Sequence, residues 1–115
     1  MMNARQKEFY ESEISAARKL IAEGKIDDAF SRLEVAHVLG QHHVLPHVKS
    51  HWLMLKIGVK RRSAYQVFGQ AVRMMVGAIG SAVGIVPAGN TGGTNISMFR
   101  RLPIAPELNK ILNEK

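Results

Sequence analysis

Cysteine is absent from the 115 residues. That excludes disulfides, iron–sulfur clusters, thiolate zinc sites and a cysteine nucleophile, and it fits a reducing compartment. Carboxylates are missing from a long stretch. None occurs between Glu34 and Glu107, so paired-carboxylate acid–base chemistry is excluded there. Long apolar runs are missing too. Met74 to Ala88 carries no charge, but it is shorter and richer in glycine than the roughly 20 apolar residues of a transmembrane helix. A buried helix end is expected there, its glycines permitting close backbone approach. The segment Met1 to Glu8 has charge but no apolar run, which argues against a secretory signal and for a cytoplasmic protein.

What is present is unevenly distributed. The formal net charge is +7. Residues 1–38 hold six Lys/Arg and seven Asp/Glu, whereas residues 39–115 hold ten Lys/Arg and only Glu107 and Glu114. The basic part suits an anionic ligand or surface, or simply solvates helix faces. Lys60-Arg61-Arg62 reads as a solvated turn: Tyr65 is the only aromatic nearby, and no nucleic-acid-binding motif occurs.

The length suits one domain, and the spacing predicts an all-α fold over residues 1–115. Two packed antiparallel helical hairpins, tetratricopeptide-like or four-helix, occupy 1–40 and 46–86. A glycine-rich loop and a short helix near Pro106 to Asn113 close them over 87–115. From Asn3 to Glu23 no Gly or Pro interrupts a helical stripe of Phe9, Ile14, Ala17, Leu20 and Ile21. Gly24 and Gly40 are the expected stops of the first two helices. Pro46 is expected at the first position of the third helix, and Ser63 at the N-cap of the fourth. Gly24, Ala29, Leu33 and Ala36 follow the tetratricopeptide pattern, and a degenerate copy recurs about 34 residues on.

All five histidines fall between His37 and His51. His43, His47 and His51 are spaced by four, the interval that places side chains on one helix face and that a helical His-x-x-x-His metal pair uses. Because Pro46 begins the helix in this reading, His47 and His51 are the firmer pair. Glu34 and His37 form a Glu-x-x-His unit, as in carboxylate-bridged dimetal bundles, but those need two such units and more acids. The repeat alignment brings His37 and His51 together. A mononuclear site of His37, His47 and His51, with Glu34 or water as a fourth ligand, follows. Imidazoles admit zinc, iron, nickel or copper. The competing account is that the histidines are hydrogen-bonded core residues, with His42 and His43 in solvent. No Ser or Asp is placed to complete a catalytic triad, and no catalytic residue is assigned.

The loop Gly89 to Asn95 lacks the lysine and the glycine spacing of a phosphate-binding P-loop. It reads as a shaped cap whose Asn and Thr side chains satisfy helix ends. Alternatively its amides form an anion nest, with Arg73, Gln70, Asn90 and Asn95 as candidate anion-binding residues.

Four blocks carry a family resemblance: Leu33 to Gln41; His47-Val48 with His51 to Leu55; Gly69-Gln70 with Arg73; and Val86 to Ser97. Together they resemble the short bacterial proteins of domain of unknown function 3703, from about Ala16 to the C-terminus. The resemblance implies no established activity. Its pattern covers Glu34, His37, Gln41, His47, His51, Gln70, Arg73, Asn90 and Asn95, and leaves out His42 and His43. Three functions remain open. One is a metal-binding protein, and another a tetratricopeptide-like module for a protein partner or a second copy. The third is an enzyme on a small anion held by Arg73, Gln70 and the Asn90–Asn95 loop beside His47 and His51.

Overall fold

The computed structural model describes residues 2–114. It is all-helical, with five helices and, among the described residues, no strand. They are α1 (Ala4–Ala22), α2 (Ile26–Gly40), α3 (Val44–Lys60), α4 (Ala64–Val83) and α5 (Pro106–Leu112).

Local signals account for most of the boundaries. Asn3 opens α1 with a capping box: its side chain accepts from the Gln6 amide, and the Gln6 side chain accepts from the Asn3 amide. The Asn3 side-chain amide also donates to the carbonyls of Ile111 and Glu114, which ties the start of α1 to the end of α5. Gly24 ends α1 in the left-handed conformation, with φ +77°. Ser63 caps α4 by accepting from the Gln66 amide.

Two boundaries differ from expectation. Gly40 is the last residue of α2 and its φ is not positive. It is needed for close approach instead, because a Cβ there would lie 2.7 Å from Pro46 Cβ and 3.1 Å from the Tyr10 ring. Pro46 is at the third position of α3, since the helix begins at Val44 after His43. The first-turn amides of a helix lack intrahelical partners, so proline fits there as well.

Helix α1 packs on α2, α2 on α3, α3 on α4, and α5 on α1. The core is built from Tyr10, Ile14 and Ala17 of α1, Ala29, Leu33, Ala36 and Leu39 of α2, Leu53, Met54 and Ile57 of α3, and Ile111 of α5. The small residues Ala17, Ala29 and Ala36 have no exposed surface, which lets the helix axes approach closely.

No residue of α4 belongs to that core. The buried residues of α4 are Gln70, Arg73 and Ser81. Several of its large apolar residues face outward: Phe68 is 73%, Met75 72% and Ile79 65% exposed, while Val67, Val72 and Met74 are half-buried. The expected buried helix end within Met74 to Ala88 is therefore corrected, because Met75, Ile79, Val83 and Ile85 are all exposed. The inner stripe at 70, 73, 77 and 81 is taken by polar side chains and one glycine, so the apolar stripe turns to the other side. No helix among the described residues is long and apolar enough to cross a membrane.

Candidate metal centre

His37 comes from the last turns of α2, and His47 and His51 stand one turn apart on α3. All three are buried. Packing α2 against α3 brings their Nε2 atoms to one point. His37 Nε2 is 3.0 Å from His47 Nε2 and 3.0 Å from His51 Nε2, and the last two are 3.2 Å apart.

The opposite ring nitrogens decide what those contacts are. His37 Nδ1 is 2.6 Å from the Asn90 carbonyl, which can only accept. Ser81 Oγ donates to the Gln41 carbonyl at 2.6 Å, so it must accept from His47 Nδ1 at 2.7 Å. The Gln70 side-chain amide donates to the Gly92 carbonyl, which turns its Oε1 to His51 Nδ1 at 2.6 Å. The network thus assigns a proton to each Nδ1. In the neutral cluster all three Nε2 lone pairs face one another with no proton between them. That arrangement is repulsive unless a cation sits among them.

A proton is a poor occupant. Burial pushes the His37 imidazole well below its usual range, and repulsion from His51 and His47 adds to this. Burial likewise lowers His47 to about 4 and His51 to about 3. A metal ion suits the geometry better. Metal–nitrogen bonds of about 2.0–2.1 Å place nitrogens about 2.9 Å apart at right angles and about 3.3 Å apart at the tetrahedral angle. The separations of 3.0, 3.0 and 3.2 Å fall between these limits. The three histidines could hold one ion, their ligand atoms all lying within 4.8 Å of one another.

Two glycines clear space beside the nitrogens. A Cβ at Gly77 would lie 3.0 Å from His47 Nε2, and one at Gly92 would lie 2.9 Å from His37 Nε2. Gln41 secures the same loop from below. Its side-chain amide donates to the Pro87 carbonyl, and its Oε1 accepts from the Gly89 amide.

The remaining candidates are placed as follows. Glu34 is half-buried on α2 beside Thr91; desolvation raises its carboxyl and the Thr91 contact opposes this. It is not in the group of converging ligand atoms. His42 is exposed and His43 precedes α3. Asn90 knits the loop: its side-chain amide donates to Ser97 and Arg100 carbonyls, and its Oδ1 accepts from the Gly92 amide. Arg73 donates to the carbonyls of Gly69 and Ile96. Asn95 is exposed on the loop. Arg61 is held by Asp27 at 2.6 Å and lies over the Phe30 ring, so the basic turn braces α2.

Sequence reasoning missed Ser81, Gly77 and Gly92 as parts of this centre. One signal was available: Gln70, Arg73, Gly77 and Ser81 share a helix face within an otherwise apolar segment.

The family described as a protein of unknown function, DUF3703, matches residues 4–112. No curated protein and no solved structure matches the chain.

Proposed function

The chain belongs to the DUF3703 family of proteins of unknown function, and we propose that it binds a single transition-metal ion through His37, His47 and His51. The observation that carries this is the convergence of three Nε2 lone pairs whose Nδ1 protons are all committed elsewhere. Nitrogen donors without a carboxylate favour zinc, copper, iron or nickel over magnesium or calcium. Asn90, Ser81 and Gln70 orient the rings, as hydrogen-bond partners of metal-bound histidines do. Glu34, one turn before His37, acts in this reading through the loop at Thr91 rather than as a ligand. Elemental analysis of tag-free protein tests the assignment. A stoichiometric ion that disappears in His47→Ala and His51→Ala supports it, and metal content that is low and indifferent to both changes overturns it.

One observation favours a second role for another surface. Tyr65, Phe68 and Met75 form an exposed apolar stripe along α4. In this reading residues 1–40 and 46–86 are tetratricopeptide-like hairpins capped by 87–115, and the stripe receives a protein partner or a second copy. Sedimentation equilibrium of the wild type and of Phe68→Asp tests self-association. An unchanged monomer in both would remove the second copy from this account.

A further inference from the structure

The three histidines do not close off the space around their nitrogens. Together with Gly77 and Gly92 they line a cavity of about 400 Å³. Its walls are mostly apolar, with Val76, Ile79, Val83, Val86 and Phe99 among them. The volume lies within the range of small-molecule sites. No carboxylate lines the cavity, but Arg73 and, at its exposed edge, Arg101 do.

Arg73 is an unusual neighbour for a metal centre. The residue is 9% exposed and, among the described residues, no carboxylate pairs with it. Two of its nitrogens donate to backbone carbonyls. Its Nε is buried with no hydrogen-bond partner. A buried charge without a counter-ion is costly. Three neutral imidazoles would leave the full charge of a divalent ion close to this guanidinium. Such a pair calls for an anion. The groove is open, with Ile79, Val83 and Phe99 largely exposed along it, so an anion that also carries a hydrocarbon body would cover apolar surface that a bare phosphate would leave in water.

We propose that the cavity binds an aliphatic monocarboxylate, its head group between the metal ion and Arg73 and its chain along the α4 wall. This rests on the metal-binding reading above. It assigns the open side of the ion a ligand class that the histidines alone do not specify.

The test uses full-length protein loaded with Co(II), whose visible d–d absorption reports a change in coordination. Hexanoate, acetate and hexanol are titrated separately. Hexanoate should shift the spectrum at concentrations about tenfold or more below acetate, given the methylenes it buries, and hexanol should leave the spectrum unchanged. Ile79→Gln, at an exposed wall position, should weaken hexanoate and leave acetate as it was. Arg73→Gln should weaken both anions, with Arg73→Lys restoring part of the loss. If hexanoate binds no better than acetate to Co(II)-loaded protein, this inference is overturned and the metal reading stands. If the chain takes up none of Co(II), Zn(II), Ni(II), Cu(II) and Fe(II), both fall.

Discussion

Helices α2 and α4 both pack against α3, yet they bring opposite chemistry to it. Helix α2 contributes Ala29, Leu33, Ala36 and Leu39 to the apolar core, and only at its end does His37 turn to the histidines of α3. Helix α4 buries Gln70, Arg73 and Ser81 and leaves Phe68, Met75, Ile79 and Val83 outside. The difference separates two tasks. The α1–α2–α3 face stabilises the fold by removing hydrocarbon from water. The α4 face orients two of the three imidazoles and walls the cavity over them.

This division can be broken from either side. The largest effect on stability is expected in the core. Leu33→Ala should destabilise the protein by about 3 kcal/mol through lost transfer energy and a residual cavity. Urea unfolding of metal-free protein checks this, and metal affinity of the folded protein should stay close to wild type. Gln70→Leu should do the reverse. It removes the acceptor of the His51 Nδ1 proton and should weaken metal binding by about 10–100-fold, measured by competition with a chromophoric chelator. An unchanged affinity would show that α4 does not orient the ring.

The same contrast has a pH signature. In the metal-free protein His47 and His51 are lowered to about 4 and about 3, against about 6.5 in an unfolded chain. Between those values the unfolded state binds more protons, so stability rises with pH across the window and levels off above about 6.5. The urea midpoint should therefore fall as the solution is acidified from about pH 7 to about pH 5. In a variant with both His47 and His51 replaced by Gln the fall should be smaller. An equal fall in both would place the acid sensitivity elsewhere.

The smallest effect is expected on the outer face of α4. Met75→Gln should change monomer stability by about 0.5 kcal/mol or less, as exposed substitutions do. A loss of several times that would mean that the stripe is covered in solution, and sedimentation would then show what covers it.

Much of the fold was legible locally. Gly24 ends α1, Ser63 caps α4, and the 3.6-residue stripes of α1 and α2 face inward as their spacing requires. The site was partly legible. His47 and His51 lie four apart on one helix, and the repeat alignment brought His37 toward them. Glu34 shows the limit of such reasoning. Its i, i+3 spacing to His37 resembles a ligand pair, but in the fold the carboxyl meets Thr91. Helix α4 shows another limit. Hydrophobicity says which residues form a stripe but not which stripe faces in, and here the rings of His47 and His51 impose polar partners on the inner one.

By itself the sequence determined the chemical alphabet of the centre. Without cysteine, and without a carboxylate from residue 35 to residue 106, any metal site there must rest chiefly on imidazole. It also determined the helices, because caps, glycine stops and periodicity act over a few residues. Only the tertiary structure decided that the three Nε2 atoms meet at one point, that Ser81, Gln70 and Asn90 hold the Nδ1 protons, and that Arg73 lies buried beside them. The physical reason is range. A tautomer is set by the partner at the far end of a hydrogen bond, and these partners lie 19, 34 and 53 residues away along the chain.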